Sequence, residues 1–214
     1  FYSFMSFGQI TQWTDINYAN DSLEGHKLDI YLPDGGQTEY KVVVLIYGSA
    51  WFANNMKQMA FQAMGKPLLD GGFAVVSINH RSSGDAKFPA QINDVKAAVR
   101  FIRAHADEYR LDTSFIGITG FSSGGHLSSL AGTTNGVKVY KVGDTEMDIE
   151  GNVGDCTSFS SRVDAVVDWF GPIDMTRMEN CATTKGADSP EAALIGGTPA
   201  EHMDVLTLLN PMTY

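Results

Sequence analysis

The sequence predicts an α/β fold, a mainly parallel sheet flanked by helices. Three observations carry that expectation. Apolar runs of strand length alternate with stretches of helical period. Most of those runs are continuously apolar, as in strands covered on both faces. A glycine-rich turn joins one run directly to a helix.

The elements follow in chain order. Residues 26–32 (HKLDIYL) place Leu28, Ile30 and Leu32 on one face, a half-buried strand. Residues 41–47 (KVVVLIY) form a buried strand. A helix over 58–69 follows, its regularity limited by Pro67, and Gly71 and Gly72 stop it. Residues 73–79 (FAVVSIN) form the next buried strand. The clearest helix runs from Pro89 to Tyr109, where Ile92, Val95, Val99, Ile102 and Ala106 recur at steps of three and four. Residues 115–121 (FIGITGF) are a strand leading into a helix near Ser123. Residues 163–169 (VDAVVDW) are one more strand, ended by Gly171 and Pro172. In such sheets the chemistry gathers beyond the carboxyl ends of the strands.

The 214 residues fit a single domain, 1–214. With 15 basic and 25 acidic residues the formal net charge is -10, which argues against nucleic acid or an anionic membrane as partner. No apolar run is long enough to span a bilayer. Residues 1–8 lack a charged region and a cleavage site, and the missing initial Met suggests a processed chain. Cys156 and Cys181 are either two free thiols or one disulfide. The disulfide, with the processed start, would place the protein in a secreted or periplasmic compartment. Neither cysteine has metal-type spacing.

Gly120-Phe121-Ser122-Ser123-Gly124 matches G-x-S-x-G between a strand and a helix. This makes Ser122 the candidate nucleophile. Glycines are needed there because side chains would collide with the adjoining strand and helix. The turn lifts the hydroxyl to a helix N-terminus, where developing negative charge is favoured. After the strand 41–47 comes Tyr47-Gly48-Ser49-Ala50-Trp51, small enough for the backbone to approach a carbonyl. The backbone N–H groups of Ser123 and of Ser49 or Ala50 are therefore the candidate oxyanion donors. Trp51 and His80 are the candidate substrate contacts.

Several stretches resemble the α/β-hydrolase esterases of the hormone-sensitive-lipase and feruloyl/acetyl-xylan esterase type. They are HKLDIYLP (26–33), VVVLIYGSAW (42–51), FAVVSINHR (73–81), KFPAQINDVKAAVRFIRAHA (87–106), GFSSGGHLSSLAG (120–132), VDAVVDWFGPID (163–174) and SPEAALIGG (189–197). The loop at 47–51 departs from that family's His-Gly-Gly-Gly at three of four positions. The resemblance implies a serine carboxylesterase acting through an acyl-enzyme, often on acyl groups of plant cell-wall carbohydrate, with no cofactor and no metal. It also implies an Asp and a His after the nucleophile, in segments beyond NPMTY at the chain's end. The expectation is thus a domain short of its C-terminal strands, with the remaining C-terminal segment of the same enzyme as partner and an apolar sheet edge exposed.

None of the five histidines is a good stand-in for that base. His126 reads as a structural helix residue, His26 and His105 as surface positions, and His202 as part of a helix. Asp168 and Asp174 are not favoured as the triad acid. The acidic stretch from Gly143 to Asp155 lacks the spacing of a Ca²⁺ loop and reads as a flexible, solvated excursion. Two rival readings stand. One is a serine peptidase of the prolyl-oligopeptidase type, which usually carries a further propeller-like domain. The other is a non-catalytic hydrolase-like binding module.

Overall fold

The computed structural model describes residues 10–180 and 183–214. Cys181 lies outside the described residues, as does the reading of residues 1–8; Cys156 carries a free thiol, so the disulfide alternative is not formed.

Six strands form the main sheet: β1 (Thr11–Asn17), β2 (Lys27–Leu32), β3 (Tyr40–Ile46), β4 (Ala74–Ile78), β5 (Leu111–Phe121) and a strand at Ala165–Trp169 that follows a two-stranded hairpin. The hairpin is β6 (Val139–Val142) and β7 (Thr145–Asp148), so the last strand is β8. The order across the sheet is β1-β2-β4-β3-β5-β8. The β4-β3-β5-β8 half is parallel, and β1 and β2 add antiparallel at the other end. The mainly parallel sheet expected from the sequence is what the chain forms.

The central strands are continuous apolar runs because both faces are covered. Val42, Val44, Ile46, Val76, Ile78 and Ile118 pack with Ile92, Val95, Val99 and Ile102 of helix α3 (Ala90–Ala104). The other face holds Leu45, Tyr47 and Val75 under a helical stretch. That stretch runs as α1 (Lys57–Ala60), a wide π-turn (Phe61–Gly65) and α2 (Lys66–Asp70). Pro67 explains the π-turn: it cannot donate a hydrogen bond and its ring crowds the preceding carbonyls. Helix α4 (Ser123–Thr133) follows β5 directly. Two short helices, α5 (Pro190–Ile195) and α6 (Met203–Leu209), close the described chain.

The structure corrects three expectations. Helix α3 ends at Ala104, not Tyr109, because the chain must turn back at Arg110 (φ 58°) to bring Leu111 opposite Tyr40. The acidic excursion is not simply solvated. It forms the β6–β7 hairpin, after which Ile149 is buried and Glu150 clamps α3. Glu150 bonds Lys96 Nζ (3.1 Å) and Arg100 Nη1 (2.6 Å), both cations being 1% exposed. His26 is buried, not at the surface, held between Asp21 (2.7 Å) and Asp94 (3.1 Å). The exposed apolar edge expected from the sequence is present: β8 is a bare edge strand. Val167 is 51% exposed, Trp169 50% and Phe170 79%. Beside it a trough of about 780 Å³ opens between Val43, Leu68, Phe73, Phe115, Val167 and Trp169.

Candidate active site

Ser122 stands between the end of β5 and the first residue of α4. Its backbone has φ 55° and ψ -125°, a left-handed conformation costing about 1–3 kcal/mol in a non-glycine residue. The surroundings over-determine that conformation. The Ser122 N–H donates to the Trp169 carbonyl (3.0 Å), and its own carbonyl accepts from His126 N–H (3.0 Å). The flanking glycines allow the close approach. A Cβ on Gly120 would lie 2.5 Å from the Gly124 backbone and 2.6 Å from the Ile46 carbonyl oxygen. On Gly48 it would lie 2.5 Å from the Phe121 carbonyl oxygen.

Asp168 fastens β8 to this turn. Its Oδ1 accepts from the Gly171 N–H (2.6 Å) and its Oδ2 from the Ser129 hydroxyl (2.7 Å). Both oxygens are engaged in structural bonds. Asp174 accepts locally from Thr176.

A cavity of about 330 Å³ opens over Ser122. Ala50, Trp51, Ser123, Phe170, Met178 and Glu191 are among its lining residues. The structure therefore brings Ser122, Ser123, Ala50 and Trp51 together. The loop backbone is itself forced, with φ 50° at Ala50 and 61° at Trp51. The two expected loop donors are not equivalent. Ser49 N–H donates to Ser123 Oγ (2.9 Å), whereas the Ala50 N–H has no partner among the described residues. The Ser123 N–H, at the first position of α4, is likewise open.

His80 is not brought to the cavity. It is wholly buried, stacked on Tyr47 with ring centroids 4.9 Å apart, its Nδ1 donating to the Arg81 carbonyl (2.8 Å). Ending a strand put it near the site in sequence, but its side chain turns into the packing. His126 also points inward. Its Nε2 donates to the Leu209 carbonyl (2.9 Å), and burial lowers its pKa to about 4, so the ring is neutral at pH 7. His202 precedes α6 as its cap residue rather than lying in the helix, His105 bonds Glu108, and His26 lies between Asp21 and Asp94. No described histidine lines the cavity with Ser122. Among the described residues no cluster of His, Cys, Asp or Glu is placed to hold a metal ion, and no helix is long and apolar enough to cross a membrane.

Sequence reasoning missed Glu191, Met178 and Phe170 as parts of the cavity wall. For Glu191 the signal was present: it lies in the SPEAALIGG stretch, which carried a resemblance but no assigned role.

Comparison with known proteins bears on the fold and the family. The family model described as BD-FAE matches residues 28–214. A probable carboxylic ester hydrolase of Mycobacterium tuberculosis, LipM, is 37% identical over 168 residues, covering 78% of this chain and 36% of LipM. The chain spans between 36% and 40% of the length of the first three curated relatives it matches. A solved bifunctional GH43-CE protein of Bacteroides eggerthii superposes with a TM-score of 0.93 at 79% identity, over 95% of this chain and 29% of that one. A truncated carbohydrate esterase from gut microbiota superposes with a TM-score of 0.92 at 59% identity, over 95% of this chain and 72% of that one. The chain has an α/β-hydrolase fold and belongs to the BD-FAE family.

Proposed function

We propose that this domain hydrolyses carboxylic esters of carbohydrate, including acyl groups on plant cell-wall sugars, with Ser122 as nucleophile. The observation that carries the reading is the forced backbone of Ser122 at a strand–helix junction, opening onto a cavity. The names of the related esterases and carbohydrate esterases support it.

In the proposed reaction Ser122 Oγ attacks the ester carbonyl carbon. The carbonyl oxygen becomes an oxyanion and accepts hydrogen bonds from the open N–H groups of Ala50 and Ser123. Such donors are typically worth about 10²–10³ each in rate. The Ser49 N–H acts indirectly, by holding the loop through Ser123. Collapse of the tetrahedral intermediate expels the alcohol, and water then releases the acid from the acyl-enzyme. A base must take the Ser122 proton. Since no described histidine lines the cavity, we assign the base and its carboxylate partner to residues outside those described here. The bare β8 edge and the adjacent apolar trough suit a further segment of the same enzyme as their cover.

The test is covalent labelling. A fluorophosphonate should modify Ser122, located by peptide mass spectrometry, and the full-length protein should turn over p-nitrophenyl acetate. Ser122→Ala should abolish both. A full-length protein that neither labels nor hydrolyses ester supports the binding-module reading instead.

A further inference from the structure

Glu191 is a charged group in the cavity wall that the reaction above leaves without a task. It follows Pro190 at the start of α5 and lines the same cavity as Ser122. It is only 4% exposed. No described residue donates a hydrogen bond to its carboxylate or forms an ion pair with it. Its oxygens keep a narrow contact with the cavity but have no donor of their own, so the site favours an occupant that supplies one.

Trp51 also lines the cavity, but its indole Nε1 has no contact with solvent and cannot meet an occupant there. Glu191 is thus the charged group of the wall that can read an occupant, and a carboxylate only accepts. A sugar presents several hydroxyls in a fixed array, each able to donate.

Resting on the reading that Ser122 opens sugar esters, we propose that Glu191 is a specificity-determining residue of this site. Its carboxylate accepts a hydrogen bond from a hydroxyl of the sugar whose ester faces Ser122. Glu191 thereby selects the alcohol half of the ester and takes no part in breaking the bond.

The test compares two acetate esters in the full-length enzyme, an acetylated xylo-oligosaccharide and p-nitrophenyl acetate, which has no hydroxyl to offer. The variants are Glu191→Leu, Glu191→Gln and Trp51→Phe. Hydrogen bonds to charged groups predict that Glu191→Leu lowers kcat/KM on the sugar ester about 10- to 100-fold more than on p-nitrophenyl acetate. The loss should fall mainly on KM. Glu191→Gln, which keeps one acceptor oxygen, should recover part of it. Trp51→Phe, which removes an N–H with no contact to the cavity, should leave the ratio unmoved. Equal losses on both esters would mean a packing role and overturn the proposal. Should Glu191→Leu not fold, the ratios of the other two variants decide. A wild-type enzyme that is active on p-nitrophenyl acetate and keeps an unmoved ratio in every variant sinks the role of Glu191 alone. A wild-type enzyme inactive on both esters and unlabelled at Ser122 sinks the functional reading itself.

Discussion

Ser49 donates its backbone N–H to the side-chain oxygen of Ser123, 2.9 Å away. The residue after the proposed nucleophile thus holds the loop that follows β3. Ser123 has two tasks in the proposed site: its N–H is offered to the oxyanion, and its hydroxyl fixes the loop that offers the Ala50 N–H. Ser123→Ala removes only the second. Since a neutral hydrogen bond is worth about 0.5–1.5 kcal/mol net, kcat on p-nitrophenyl acetate should fall about 3- to 10-fold. Steady-state kinetics should show little change in KM. An unchanged kcat would mean the loop holds itself.

The elbow glycines answer to stability before activity. A Cβ at Gly120 meets backbone atoms of Gly124 and Ile46, which cannot swing aside. Gly120→Ala should cost about 3 kcal/mol or more, through forced backbone shifts. For a domain of this size each kcal/mol lowers Tm by about 2–4 °C. Thermal unfolding followed by circular dichroism reads this, and a Tm within a degree of wild type contradicts it.

Glu150 pairs with two buried cations at once. Removing it leaves Lys96 and Arg100 withdrawn from water without their carboxylate. Breaking a buried pair from one side typically costs about 3–5 kcal/mol. Glu150→Ala should therefore shift the urea midpoint strongly, whereas Glu146→Ala, on the exposed hairpin, should not.

Acid should act partly through His126. Burial holds the folded ring near pKa 4, against 6.5 for the free side chain. Below pH 6.5 the unfolded chain takes up a proton that the folded ring refuses until about pH 4. The contribution of His126 is whole above pH 6.5 and lost as pH falls toward 4, reaching roughly 3 kcal/mol. His126→Gln can still donate to Leu209 and should show a shallower loss of stability over that interval. His26 has the opposite sign. Burial lowers its pKa, but its bonds to Asp94 and Asp21 outweigh that and raise it. Its contribution is present at low pH and is lost as pH rises past the folded value.

The sequence made some elements plain and hid others for physical reasons. β3 and β4 were legible because strands covered on both faces must be apolar throughout. The elbow was legible because its glycines are demanded locally, within five residues. β1 was not, since TQWTDIN is a largely exposed edge strand whose pairing depends on β2. The β6–β7 hairpin was obscured by its acidic residues, whose anchor lies on α3 some 50 residues earlier in the chain. His26 is buried only because Asp21 and Asp94 converge on it from different parts of the sequence. Glu191 reaches the cavity because the chain after β8 folds back over Ser122, and no local pattern encodes that return.

The hydrogen bond from Ser122 N–H to Trp169 suspends the proposed nucleophile from the outermost strand of the sheet. Its amide proton is then a gauge of how often that border opens. Fraying of β8 would release the proton to solvent and let the strained turn relax in the same event. The exchange lifetime at this one amide should lengthen whenever anything seals the border, and each lengthening should accompany a gain in the fraction of molecules poised to react.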